Sequence, residues 1–277
     1  MSRRFDQLDV FAAEALRGNP LAVVHDAQGL DDARMAAFAR WTNLSETTFL
    51  LPPTDEAADY RVRIFTPGGE LPFAGHPTLG SCHAWLAAGG RPQRTGTVVQ
   101  QCGIGLVTVR QEGARLAFQA PALRRAAVPA PLLAAVCEAL GLDPARVRAS
   151  ADLDNGPRWL SLLLDSADTV LGLQPEHARL KGLAKVGVIA PQRRGADCDF
   201  EVRAFAAQVG IDEDPVTGSL NASLAQWLIG EGLAPPDYVA AQGTALGRAG
   251  RVFVQSQDGR IWVGGQVTPC IEGQVNL

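Results

Sequence analysis

Val62-Arg63-Ile64-Phe65 recurs 140 residues later as Val202-Arg203-Ala204-Phe205. About ten residues after each copy, a turn that contains proline leads into a segment of small and apolar residues. These segments reach Trp85-Leu86 in the first half and Trp227-Leu228 in the second, at an offset of 142 residues. The order and the spacing are therefore both kept. Because 277 residues is about twice this repeating unit, we infer two similar domains.

The fold class follows from how the apolar residues are spaced. Short β-type runs separated by turn residues outnumber the helical patterns, which are clearest over 31–41 and 131–140. We predict an α+β fold of two pseudo-symmetric lobes, each a mostly antiparallel, β-barrel-like sheet around a central helix. The lobes are predicted to span 1–120 and 121–277, and the final strand could pack with the first lobe.

Composition excludes several classes of partner. The chain has 25 Lys and Arg against 29 Asp and Glu, a net charge of −4, so no global positive field attracts nucleic acid or an anionic membrane. The five cysteines are widely spread and include no C-x-x-C pair, which argues against a disulfide scaffold or a structural zinc site. Because no secretory signal is visible, we predict a cytoplasmic protein.

The two repeated turns are candidates for a binding site, because each lies where a helix is expected to begin. The first several N–H groups of a helix have no intrahelical partner and attract anions. Gly75 and Gly218 would let a ligand approach the backbone, and Thr217 and Ser219 can donate or cap. Two such helix starts facing each other across a cleft would bind a small carboxylate. The alternative interpretation is that both are merely capped helices.

Titratable side chains accompany both turns. His76 lies in the first and Asp214 in the second, and Glu46 begins an otherwise apolar strand. A helix start favours an ionised carboxylate and a neutral histidine. Glu46 is either a solvated residue at a strand start or, if buried, a group suited to moving a proton on and off carbon. The motifs of nucleotide, dinucleotide, hydrolase-elbow and zincin sites are missing, so we predict no cofactor and no metal.

Five stretches together give the chain a specific resemblance to a known family, and they span both halves. They are Gly18-Asn19-Pro20-Leu21-Ala22-Val23, Asn43-Leu44-Ser45-Glu46-Thr47, Arg63-Ile64-Phe65-Thr66-Pro67, Glu70-Leu71-Pro72-Phe73-Ala74-Gly75-His76-Pro77-Thr78 and Glu213-Asp214-Pro215-Val216-Thr217-Gly218-Ser219. In these the chain resembles the PhzF-like isomerases of phenazine biosynthesis, which share the diaminopimelate epimerase fold. The resemblance implies two lobes around central helices and a homodimer.

The resemblance also implies roles for the candidate residues. It makes Glu46 the acid/base that shifts a proton between carbons of a cyclic β-hydroxy amino acid, with His76, Asp214 and Ser219 completing the site. Related epimerases and racemases use two cysteines, at the positions that are Gly75 and Asp214 here. The missing thiols disfavour a two-cysteine racemase.

The leading hypothesis is a cofactor-independent isomerase that acts on a small carboxylate-bearing metabolite of a biosynthetic process. Its catalytic residues would be Glu46, which moves the proton, and His76 and Asp214, which orient the substrate or relay protons. Two alternatives stay open. One is an amino- or hydroxy-acid epimerase or racemase that works without thiols. The other is a non-catalytic protein that binds a metabolite.

Overall fold

The computed structural model describes every residue, Met1–Leu277. The chain divides into two units. Unit 1 consists of Met1–Gln119 and Trp262–Leu277, and unit 2 is Ala120–Ile261. The C-terminal segment is therefore part of unit 1.

Eighteen strands and six α-helices, numbered in chain order, make up the chain. The first part of the chain forms β1 (Ser2–Val10), β2 (Asn19–Val24), α1 (Asp32–Thr42), β3 (Glu46–Leu51), β4 (Tyr60–Thr66), β5 (Gly69–Leu71), α2 (Gly75–Ala87), β6 (Thr97–Cys102), β7 (Gly105–Glu112) and β8 (Arg115–Gln119). The rest forms β9 (Arg124–Ala126), α3 (Ala130–Leu140), β10 (Val147–Asp154), β11 (Arg158–Leu164), α4 (Ala167–Gly172), α5 (His177–Lys181), β12 (Val186–Pro191), β13 (Phe200–Ala206), β14 (Ile211–Asp214), α6 (Gly218–Gly230), β15 (Asp237–Gln242), β16 (Gly250–Gln257), β17 (Arg260–Gly265) and β18 (Val267–Asn276).

Strand pairing in unit 1 follows the order β18-β1-β2-β3-β4-β6-β7-β8-β17, and β5 is a short hairpin partner of β4. Only β2–β3 and β4–β6 are parallel pairs. The two end strands, β17 and β18, are consecutive in the chain and separated only by Gln266. The sheet therefore curls round on itself, as a barrel-like sheet must.

Unit 2 repeats this pairing in the order β9-β10-β11-β12-β13-β15-β16, with β14 as the hairpin partner of β13. Its parallel pairs, β11–β12 and β13–β15, occupy the same places as those of unit 1. The pairing of β18 and β1–β7 in unit 1 is therefore repeated by β9 and β10–β16 in unit 2, and β8 and β17 extend the sheet of unit 1. The predicted fold class, two pseudo-symmetric lobes with mostly antiparallel sheets, is confirmed.

The central helices α2 and α6 contain no Asp, Glu, Lys or Arg, and most of their residues are buried. Burial lowers the pKa of both histidines of α2, which favours their neutral form. A helix that is apolar on all sides belongs inside a core. In unit 1 a glycine lies on the helix: a Cβ at Gly80 would meet the Leu21 side chain at 2.4 Å. In unit 2 the glycine lies on the strand: a Cβ at Gly187 would meet Leu220 at 2.3 Å. Each unit thus uses one glycine to bring helix and sheet together.

The outer helix α1 begins as the sequence predicts. Asp31 caps it by accepting a hydrogen bond from the Arg34 N–H, and Asn43 ends it in the left-handed conformation. Its buried face packs with Phe49 and Phe65 in a core of unit 1. The short helices α4 and α5 were not predicted, because five or six residues are too few for a periodic pattern. None of the helices combines the length and the hydropathy needed to cross a lipid bilayer.

Candidate active site

In unit 1, Glu46 and His76 come together. Glu46 is the first residue of β3 and His76 the second residue of α2. The His76 Nε2 lies 3.4 Å from the Glu46 Oε2, and the two side chains are 3% and 12% exposed. Glu46 is therefore largely enclosed, which contradicts the interpretation of a solvated residue at a strand start.

Asn19 determines which nitrogen of His76 carries the proton. Its Nδ2 lies 3.2 Å from the His76 Nδ1, and its Oδ1 accepts a hydrogen bond from the Ser45 Oγ at 3.1 Å. An amide nitrogen can only donate, so the His76 Nδ1 accepts. The proton of the neutral ring is then on Nε2, the atom that faces Glu46. Asn19 thus places the proton on the ring nitrogen nearer the carboxylate, although the two groups are not hydrogen-bonded to each other.

His76 stays neutral throughout the physiological pH range. Burial lowers its pKa to about 3, because a charged imidazolium would lose its hydration inside the unit. The sequence predicted a neutral histidine from the field of the helix start, so the direction is confirmed. The physical cause, however, is burial. A ring with so low a pKa is a poor base, which leaves Glu46 as the group in this pair that can take up a proton.

The start of α2 is held by side chains from the neighbouring strands. Its N-cap residue, Ala74, has no side-chain hydrogen bond. Instead the Thr78 hydroxyl donates to the Ala74 carbonyl at 2.9 Å, and the Gln100 Nε2 donates to that hydroxyl at 3.0 Å. The Tyr60 hydroxyl in turn donates to the Gln100 Oε1 at 2.8 Å. This buried chain fixes the turn that carries Gly75.

In unit 2, Asp214 and Thr217 meet just before α6. The Thr217 hydroxyl donates to the Asp214 Oδ2 at 2.5 Å, and both residues are buried. Thr217 occupies the N-cap position but makes no side-chain cap, so of its two predicted roles, donating or capping, its hydroxyl takes the first. The carboxylate attracts the hydroxyl more strongly than a backbone N–H would. The Thr217 hydroxyl is therefore bound to Asp214 and not to the helix backbone.

Gln242, at the end of β15, organises this helix start. Its Nε2 donates to the Asp214 carbonyl at 3.1 Å and to the Thr217 Oγ1 at 2.9 Å. Its Oε1 accepts from the Thr217 N–H at 3.0 Å and from the Asn221 Nδ2 at 2.9 Å. All four hydrogen-bonding positions of the carboxamide are used. Because Gln242 donates to the Thr217 oxygen, the Thr217 proton must point toward Asp214.

Gly218 and Ser219 are the first two residues of α6, and both are buried. The Ser219 carbonyl accepts a hydrogen bond from the Asn155 Nδ2 at 2.9 Å. At this helix start the backbone N–H groups are oriented to favour an anion. The turn therefore has the chemistry expected for binding a carboxylate.

Each unit thus contains one part of the predicted set. Unit 1 holds Glu46, Gly75 and His76, and unit 2 holds Asp214 with Thr217, Gly218 and Ser219. The sequence assigned no role to four side chains that support these groups: Asn19, Gln100, Asn155 and Gln242. One signal was available, because Gln100 and Gln242 are offset by the same 142 residues as the two Trp-Leu pairs.

Comparisons with known proteins agree with this fold. The family model described as phenazine biosynthesis-like protein matches residues 8–273. The chain is 37% identical to antisense-enhancing sequence 1 of Schizosaccharomyces pombe, over 98% of this chain and 97% of that protein. It is 35% identical to a trans-2,3-dihydro-3-hydroxyanthranilate isomerase of Pseudomonas aeruginosa, over 92% and 90% of the two chains.

A solved structure gives the same result. The crystal structure of a PhzF-family phenazine biosynthesis protein from Enterococcus faecalis covers 100% of both chains, with a TM-score of 0.83 at 27% identity. The fold and the duplicated helix starts define an isomerase or epimerase of the diaminopimelate epimerase-like class. Within that class, the chain belongs to the PhzF-like family and is an isomerase of that family.

Proposed function

We propose that the protein isomerises a small carboxylate-bearing metabolite without a cofactor, and that Glu46 moves the proton between carbon atoms. One observation carries the proposal: Glu46 is enclosed in unit 1 with its Oε2 3.4 Å from the Nε2 of a histidine that burial keeps neutral. A carboxylate beside a ring that does not compete for the proton is a suitable acid/base. Positioned proton transfer contributes about 10²- to 10⁴-fold to a rate.

The other residues have supporting roles in this proposal. His76 lies beside Glu46 as a neutral ring that does not take up the proton. In unit 2 the backbone at Gly218 and the hydroxyl of Ser219 bind the substrate carboxylate, with Thr217 and Asp214 holding the turn. Gly75 allows the substrate to approach the start of α2 closely.

The first compound to test is the one in a relative's name, trans-2,3-dihydro-3-hydroxyanthranilate. Turnover is followed by NMR in D₂O, which reports both product formation and exchange of carbon-bound hydrogen. Glu46→Gln keeps the shape of the side chain and removes the base, so we expect the rate to fall by about 10²- to 10⁴-fold. Glu272→Gln, on exposed β18, is the matched control and should react at the wild-type rate. Unchanged exchange in Glu46→Gln would refute the assignment.

The same assay separates a one-base isomerisation from a two-base epimerisation. The contact between Glu46 and His76 lies within one unit, which favours a single base that removes and returns the proton on one face of the substrate. With one base, part of the substrate's own hydrogen returns to the product in D₂O. An epimerase with two bases delivers the new hydrogen from the second base, so every product molecule would carry solvent deuterium at the reacting carbon.

A further inference from the structure

Asn155 lies in the turn between β10 and β11 and is 3% exposed. Its Nδ2 donates to the carbonyl of Ser219, the second residue of α6, at 2.9 Å. Its Oδ1 is fully buried and has no hydrogen-bond partner. At the helix start where the substrate carboxylate is proposed to bind, the nitrogen of this carboxamide is therefore hydrogen-bonded and its oxygen is not.

The orientation of this carboxamide is determined by its one hydrogen bond. A carbonyl oxygen can only accept, so the nitrogen must face Ser219 and the oxygen must point elsewhere. Leaving a buried acceptor without a donor costs about 1–3 kcal/mol. A substrate that brings a donor to this oxygen recovers that free energy, whereas a substrate without one does not.

Asn19 is the corresponding asparagine in unit 1, and both the nitrogen and the oxygen of its carboxamide have hydrogen-bond partners. Asn19 also contacts the second residue of its central helix, His76, but its Oδ1 accepts a hydrogen bond from the Ser45 hydroxyl. Each asparagine contacts the second residue of its central helix, Asn19 through the His76 side chain and Asn155 through the Ser219 backbone carbonyl. They differ in that unit 2 supplies no hydroxyl for the oxygen of Asn155.

We propose that Asn155 is a specificity-determining residue whose Oδ1 accepts a hydrogen bond from a hydroxyl or amino group of the substrate. This inference rests on the proposed function, because it places the substrate carboxylate at the start of α6. It adds a requirement that the carboxylate site alone does not impose: the substrate carries a hydrogen-bond donor close to its carboxylate. Ligands with only apolar groups next to their carboxylate should bind more weakly.

Binding of two probes to the intact protein tests the inference without turnover. Anthranilate carries an amino group next to its carboxylate, and 2-methylbenzoate carries a methyl group of similar size at the same position. Isothermal titration should show that the wild-type protein binds anthranilate about 10- to 100-fold more tightly, the ratio that corresponds to one buried acceptor left unpaired. Asn155→Leu should abolish this preference and leave 2-methylbenzoate binding at least as tight.

Glu272→Gln is the control, and it should keep the preference because Glu272 is exposed on β18 and belongs to neither helix start. A wild-type ratio near one overturns the inference, and this measurement does not depend on whether Asn155→Leu folds. A preference that survives in Asn155→Leu also overturns it. If neither probe binds, the carboxylate site of the proposed function fails together with the inference. A failure of Glu46 as the base would leave the binding ratios unchanged, so the two outcomes are distinguishable.

Discussion

The same arginine–glutamate pair occurs once in each unit, and its two copies lie in different surroundings. Arg63 in β4 and Arg203 in β13 each make two parallel hydrogen bonds to a glutamate, Glu70 and Glu213, and each guanidinium lies about 5 Å from a phenylalanine ring two residues further on. Each pair fastens the short hairpin strand that leads into a central helix. The geometry is duplicated, but the exposure is not.

The pair in unit 2 is more deeply buried than the pair in unit 1, so stability depends more on keeping both of its partners. Arg203 and Glu213 are both 7% exposed, whereas Arg63 and Glu70 are 20% and 43% exposed. Arg203 also donates to the carbonyls of Val170 and Leu173, so it satisfies groups of the loop around α4. A buried pair contributes little when intact, since its desolvation offsets the attraction, but losing one partner is costly. An exposed pair contributes little to stability, and losing one partner of it lowers stability only slightly.

The largest expected effect is that of Arg203→Met, which leaves Glu213 buried without its partner. We expect the free energy of unfolding to fall by about 3–5 kcal/mol. Arg63→Met is the control; Arg63 pairs with both Glu70 and Asp32, and the loss should be about 0.2–1 kcal/mol for each of these more exposed pairs. Urea unfolding of both variants measures the difference. Equal losses would show that burial does not separate the two copies.

A second difference concerns the glutamines that hold the helix starts. Gln242 makes four hydrogen bonds in unit 2, and Gln100 makes two in unit 1. At about 1 kcal/mol for each bond, Gln242→Leu should lower the free energy of unfolding by about 2–4 kcal/mol and Gln100→Leu by about 1–2 kcal/mol.

These two variants should also differ in how they affect catalysis. Gln242→Leu frees the Thr217 hydroxyl from its fixed direction and so disturbs Asp214 and the carboxylate site, which should raise KM. Gln100→Leu acts on the turn that carries His76 and should mainly lower kcat. Steady-state kinetics at a temperature where both variants are folded tests this, and the same KM-to-kcat pattern in both would contradict it.

The sequence predicted the duplicated fold and the neutral state of His76 because short motifs and residue chemistry carry them. It could not predict the supporting contacts. Asn19 and His76 are 57 residues apart, and Asn155 and Ser219 are 64 apart, so only the folded sheets bring them together. Arg63–Glu70 and Arg203–Glu213 also differ in spacing, because a 3₁₀ turn at Ala207–Val209 lengthens the second hairpin. The homodimer, the cytoplasmic location and the exact domain limits stay predictions.

The smallest expected effect distinguishes the two helix starts by pH, since only α2 begins with a buried histidine. The pKa of His76 is about 3 in the folded protein and near 6.5 in the unfolded chain. Between these values the unfolded chain binds the extra proton, so stability falls as the pH is lowered through this range. From pH 7 to pH 5.5 this one group should remove about 1 kcal/mol. Urea unfolding of His76→Asn at both pH values should show a drop smaller by that amount, whereas an equal drop would mean that His76 takes up its proton in the folded state.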